Sequence, residues 1–173
     1  MTVICAKKTG DKIIISADSQ TTFGDSKATK KDQSVGMSKV LKVSEEFGIA
    51  GAGAVSEISR FHRFCQRSKP KGATENDVFD FMVDFMDHCK KGESGFEFHS
   101  QYIIAFKGKL FLVWGGFLVQ EHHDFCAGGS GMFCALTAFH FGKDTEAAVG
   151  AAKTFDLYCG GDTVTISLDI PKK

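Results

Sequence analysis

Two apolar, β-rich runs open the chain: Val3-Ile4-Cys5-Ala6 passes into Lys7-Lys8, and Ile13-Ile14-Ile15 leads to Ala17 and Asp18. Between them Thr9-Gly10-Asp11 is turn chemistry, so residues 2–8 and 12–18 are predicted to form a β-hairpin. A turn centred on Gly10 sets Lys8 against Lys12 and Thr2 against Asp18, and a bulge would shift this by one residue. Residues 20–35 are polar, carry Lys27, Lys30 and Lys31 without periodicity, and read as an exposed loop before a strand over 38–43. Ser44-Glu45-Glu46 is a turn. Residues 47–54 then pass from a short apolar strand into the small-residue turn Gly51-Ala52-Gly53-Ala54, where something must approach the backbone closely.

Helical spacing follows. Ile58, Phe61 and Phe64 or Cys65 mark a helix over 55–66, and Thr74 caps a second helix to about His88 with Val78, Phe81, Met82, Phe85 and Met86 on one stripe. Strands are predicted near 101–106, 109–114 and 117–120, with Lys107-Gly108 as a tight turn. Gly128-Gly129-Ser130-Gly131 is a second glycine-rich strand-to-helix turn, opening a helix over 132–141. Another helix starts at Lys143-Asp144-Thr145 and ends before Tyr158-Cys159-Gly160-Gly161, and residues 163–170 close as a strand. Hairpins dominate and simple βαβ units are missing. The order of strands, helix pair, strands, helix pair and strand therefore predicts an α+β fold of antiparallel sheets with helices outside.

Composition narrows the reading. At 173 residues the chain suits one domain, residues 1–173. Twenty-one Lys and Arg balance 21 Asp and Glu, so no net field draws it to nucleic acid or an anionic membrane, and protein or peptide partners are expected. The six cysteines form no CxxC pair and are expected to be reduced, buried thiols. No basic-then-apolar leader is seen at the start, and the apolar region 102–119 is broken by Lys107, Lys109 and glycines. A cytoplasmic protein without a membrane helix is the expectation. The 17 phenylalanines are put down to core packing and subunit contacts.

Six short motifs occur in a telling order: Thr2-Val3-Ile4-Cys5-Ala6, Ala17-Asp18-Ser19-Gln20-Thr21-Thr22, Ser38-Lys39-Val40, Ala50-Gly51-Ala52-Gly53, Gly129-Ser130-Gly131 and Asp156-Leu157-Tyr158-Cys159-Gly160-Gly161. Together they resemble the proteasome β-subunit superfamily, to which the HslV-type peptidases belong. The likeness spans nearly the whole chain and rests on order and separation, including the sixteen residues from Thr2 to Asp18. It implies an N-terminal nucleophile hydrolase: a four-layer αββα sandwich of two antiparallel sheets between helix layers, cleaving peptide bonds with a threonine at the mature N-terminus. A threonine hydroxyl needs a base, and a chain's own α-amino group, with a pKa of about 8, can serve. Thr2 is then a nucleophile only once Met1 is removed.

By the same resemblance Lys39 is the buried cation beside the nucleophile and Asp18 its partner. Ser130 and Asp156 match residues that hydrogen-bond around the terminal amine, and the Gly51 amide matches the oxyanion donor. Backbone at Thr22, Gly51 and Gly53 would hold substrate as an added strand, while Met37, Leu41, Ile49 and Gly53 fall where the family lines its specificity pocket, implying apolar residues at the cleavage site. No cofactor is required, though carbonyls near Phe155, Tyr158 and Gly161 match those that bind a monovalent cation such as Na+. Homo-oligomeric stacked rings fed by an ATP-dependent unfoldase are the implied partners. The sequence departs from the family in a longer loop over 23–36, so Lys39 is placed by its Lys-Val-x-x-Val setting. Its rival Lys42 has the opposite pleat parity. Ala52 replaces a common glycine, and Cys159 a serine.

Singly, these residues have plainer readings: Asp18 a turn cap, Lys39 a solvated strand residue, Gly128 to Gly131 an ordinary helix entry. His122-His123, His62 with Cys65, and His88 with Cys89 lack the paired spacing of a zinc site. Cys5 sits mid-strand without a positioned histidine. Two other functions remain open: a related hydrolase cutting a small amide, and a non-catalytic structural ring subunit that keeps Met1.

Overall fold

The computed structural model describes residues 2–23, 26–28, 38–92 and 95–172. Strands β1 (Val3–Thr9) and β2 (Lys12–Asp18) form the expected hairpin, but its register differs from the expected one. Thr9 faces Lys12 and Ile4 faces Ala17, so the turn is the two-residue Gly10-Asp11 pair with Gly10 at φ 61°. A two-residue turn with a left-handed glycine matches strand twist better than a three-residue one. The slip of one residue sets Asp18 beside Val3 rather than Thr2. The expected loop is also departed from where β3 (Thr21–Phe23) pairs antiparallel with β4 (Ser26–Ala28).

Strands β5 (Val40–Ser44) and β6 (Phe47–Ala52) lead into helices α1 (Val55–Cys65) and α2 (Glu75–Lys90). Thr74 and Asp77 form a reciprocal capping box at the start of α2, which fixes that helix end as the sequence implies. Strands β7 (Gln101–Phe106), β8 (Lys109–Trp114) and β9 (Leu118–His122) follow, then β10 (Phe125–Gly129), which the sequence pattern did not separate from its neighbours. Helices α3 (Met132–His140) and α4 (Thr145–Phe155) and strand β11 (Thr163–Asp169) complete the described chain.

Pairing sorts the long strands into two antiparallel sheets, β10-β1-β2-β11 and β5-β6-β7-β8-β9. Three cores glue the layers together. Ile4, Ile13, Ile15, Val40, Ala50, Ile103 and Leu112 fill the space between the sheets. Val3, Cys5, Ala127, Ala138, Phe139 and Val149 bind the four-stranded sheet to α3 and α4. A phenylalanine-rich core, including Phe47, Phe61, Phe81, Phe85, Phe98 and Phe111, seats α1 and α2 on the five-stranded sheet. The result is the αββα sandwich, with β1 an interior strand. Among the described residues no helix is long and apolar enough to cross a membrane.

Candidate active site

Thr2 lies just ahead of β1 and is buried, 3% exposed. Its nitrogen donates to Ser130 Oγ at 3.3 Å, and its carbonyl accepts from the Gly131 amide at 3.3 Å and from the Ser130 hydroxyl at 3.4 Å. The close approach requires glycine next door: Gly129 has φ 85°, and a Cβ there would lie 2.0 Å from the Thr2 carbonyl oxygen. The glycine-rich turn between β10 and α3 is thus shaped around residue 2.

Asp18, at the end of β2, is 1% exposed and takes four donors. Oδ1 accepts the Lys39 ammonium at 2.7 Å and the Val3 amide at 3.0 Å. Oδ2 accepts the amides of Gly160 at 3.0 Å and Gln20 at 3.2 Å. Such a set meets the hydrogen-bonding needs of a buried carboxylate. Burial is the main influence on Lys39 and pulls its pKa below the usual lysine range, while Asp18 opposes that shift. Cys159, from the turn after α4, places its thiol against the Ser130 hydroxyl. Burial, then the Asp18 and Asp156 carboxylates, push this thiol up to about 12, so it stays a neutral S–H at ordinary pH.

Thr2 and Lys39 share one narrow cleft with Thr22 and Gly53, and Gln20, Thr21, Val55 and Ile58 complete its walls. Its volume is about 40 Å³. A larger cavity of about 440 Å³ between α1 and α2 is lined in part by Arg63, Arg67, His88 and Cys89 and includes neither Thr2 nor Lys39, so it is a separate feature from this cleft.

Several expected residues fall elsewhere. Ile49 is fully buried in the phenylalanine core and Leu41 packs against the same core, so neither lines the cleft. The pleat of β6 decides this, since Ile49 faces α1 and α2 while Ala50 faces the other sheet. Met37 lies outside the described residues, as does Met1. The Gly51 amide, expected as an oxyanion donor, donates to the Lys39 carbonyl at 2.9 Å and extends the β5–β6 pairing instead. Asp156 does not reach the Thr2 nitrogen in the expected way: its carboxylate accepts the Tyr158 amide at 2.7 Å and holds the turn that presents Cys159 and Gly160. Of the three residues whose carbonyls are expected to bind a cation, Phe155 and Gly161 border one open cleft, and Tyr158 is not on its wall. Carbonyl oxygens at a helix C-terminus are chemically suited to a hard monovalent cation.

Sequence reasoning missed Gln20, Val55 and Ile58 as cleft walls. Gln20 carried a usable signal, a glutamine two residues past a strand's buried aspartate, whereas Ile58 looked like one more apolar helix position.

No family model matches the chain. It is similar to the ATP-dependent protease subunit HslV of Borreliella burgdorferi strain ZS7, 28% identical over 138 residues that cover 79% of this chain and 74% of the relative. HslV of Borreliella afzelii strain PKo is similar to the same extent. Among solved structures, Thiobacillus denitrificans BPH in complex with epoxomicin superposes with a TM-score of 0.85 at 18% identity, over 98% of this chain and 100% of that one. Eukaryotic HslV from Trypanosoma brucei gives 0.72 at 18% identity, over 96% and 99%. The fold is that of the N-terminal nucleophile hydrolases. In sequence and in fold the chain is similar to HslV-type peptidases.

Proposed function

We propose that this chain is a threonine-type endopeptidase subunit of a self-compartmentalising protease. The observation that carries the reading is the burial of Thr2 at the head of an interior strand, in one cleft with a lysine that is ion-paired to Asp18. Removal of Met1 would turn the Thr2 nitrogen from an amide into an amine. That amine takes the proton of the Thr2 hydroxyl as the oxygen attacks a peptide carbonyl, then returns it to the departing nitrogen. The ester so formed is cleaved by water, which restores the threonine. Lys39 contributes a fixed positive charge that disfavours a second cation and keeps the amine a free base. Ser130 holds the nitrogen and carbonyl of residue 2 in place, and the neutral Cys159 thiol completes its surroundings.

Backbone at Thr22 and Gly53 is placed to hold an extended peptide across the cleft as an added strand. Val55 and Ile58 make part of the wall apolar, which supports cleavage after apolar side chains. Carbonyls at Phe155 and Gly161 would hold a monovalent cation, which would brace the turn carrying Cys159 and Gly160. By likeness to HslV, an ATP-dependent protease subunit, the chain would assemble in stacked rings in the cytoplasm and receive substrate from an ATP-driven unfoldase.

Intact mass and N-terminal sequence of the purified protein test the reading first. Thr2 at the N-terminus with hydrolysis of fluorogenic peptides supports it, and epoxomicin, bound by the Thiobacillus protein, should block that hydrolysis. Retained Met1 with no hydrolysis would point to the structural ring subunit, and turnover of small amides without peptides to the small-amide hydrolase.

A further inference from the structure

Behind the Gly53 side of the cleft lies a buried carboxylate that the chemistry above does not use. Glu57, in the first turn of α1, is 6% exposed. Its Oε2 accepts two consecutive amides, Ser100 at 3.0 Å and His99 at 3.3 Å. Those amides belong to the irregular segment ahead of β7, which has no ladder of its own to satisfy them. The charge also sits at the end of α1 where the helix dipole favours an anion.

Ser100 passes this anchorage on. It is 1% exposed, and its Oγ accepts the Ala54 amide at 3.2 Å. Ala54 is the residue at the N-terminal boundary of α1 and supplies no side-chain cap, so the start of the helix is held from outside by Ser100. Gly53 runs across the same hydroxyl with φ 147°, and a Cβ there would fall 2.2 Å from Ser100 Oγ. Gly53, Val55 and Ile58 are the wall of the Thr2 cleft contributed by this turn.

We infer that Glu57, acting through Ser100, is a positioning residue that sets the Gly53 turn and thereby the width of the substrate cleft. In so far as the cleft is a peptide site, this rests on the proposed function. An apolar residue at 57 would fill the same space, but would leave two buried amides unpaired and the turn free to drift into a cleft that is already narrow. The side chain therefore governs how substrate is held rather than how the bond is broken.

The test compares the mature wild-type chain with Ser100→Ala, Ser100→Thr and Glu57→Gln. Peptide kinetics are read alongside hydrogen exchange of the amides at 53–55. Ser100→Ala should raise KM about tenfold with kcat within about twofold, and speed exchange at 53–55 at least tenfold. Ser100→Thr, which keeps the hydroxyl, should restore both, and Glu57→Gln, whose amide oxygen can still accept both main-chain amides but without the charge, should act in the same direction as Ser100→Ala and more weakly. A merely structural role would lower kcat through loss of folded molecules and leave KM alone. Wild-type KM and wild-type exchange in both Ser100→Ala and Glu57→Gln would overturn the inference. If Glu57→Gln fails to fold, Ser100→Ala decides by itself. Should the wild-type chain cleave no peptide, the peptidase reading falls, while exchange at 53–55 still decides whether Ser100 and Glu57 hold the turn.

Discussion

Two buried regions on either side of the five-stranded sheet are built on opposite principles. Around Asp18 the interior is polar: one carboxylate, one ammonium and several main-chain amides lie within hydrogen-bonding distance of one another. Under α1 and α2 the interior is a stack of rings, such as Phe61 against Phe85 at 4.9 Å and Phe61 against Tyr102 at 4.2 Å. The ring core draws its strength from apolar area removed from water, and that term has no direction. The Asp18 cluster depends on angles and distances, because a buried charge that loses a partner is worse than no charge. Loss of a ring should therefore weaken the whole fold, whereas changes near Thr2 should damage chemistry at a smaller or separate cost in stability.

The sharpest way to separate the two is Thr2→Ala in the mature chain. Peptide hydrolysis should fall at least about a thousandfold while the unfolding free energy stays within about 1 kcal/mol of wild type. Lys39→Ala crosses the boundary between the regions. It should remove most activity and also cost about 3 to 5 kcal/mol in denaturant unfolding, because Asp18 is left as an uncompensated buried charge. Lys39→Ala combined with Asp18→Ala should recover part of that stability and none of the activity. Phe85→Ala should also cost about 3 to 5 kcal/mol, yet leave kcat/KM per folded molecule near wild type. Equal activity loss in Phe85→Ala would erase the contrast.

A gentler probe is pH. His62 on α1 has a buried Nε2 with no hydrogen-bond partner among the described residues, and burial lowers its pKa from about 6.5 to about 4. A depressed pKa means that the unfolded chain binds a proton first. The stability from keeping this ring neutral is therefore complete above pH 6.5 and lost as pH falls toward 4. The expected loss is about 3 kcal/mol, and His62→Gln should flatten it when unfolding is followed from pH 7 to pH 4.

How far the sequence could be read follows from the same contrast. Periodicity located the helices because Phe81, Met82 and Phe85 recur at helical spacing, and the capping box at Thr74 is local chemistry. Thr2, Asp18, Lys39 and Ser130 were legible because their order and spacing along the chain resemble a known family, and the fold brings them close together. Geometry that depends on a single step of pleat or turn was not legible. A turn of two residues rather than three moved Asp18 from Thr2 to Val3, and strand parity turned Ile49 into the ring core. The use of the Gly51 amide by the Lys39 carbonyl depends on where the β5–β6 ladder stops, which no residue type announces. Glu57 was hidden for a similar reason, since its two amide partners are more than forty positions away.

One consequence follows from the place of β1 between β10 and β2. Chain ends ordinarily fray, and a reactive group on a fraying end must be immobilised anew each time it reacts. Here the carbonyl of residue 2 accepts the Gly131 amide and the amide of residue 3 donates to the Asp18 carboxylate, two bonds that add to the sheet ladders on either side of β1. Ordering of that segment is completed during folding, so under the proposed function each encounter with substrate would begin with the hydroxyl already at its station.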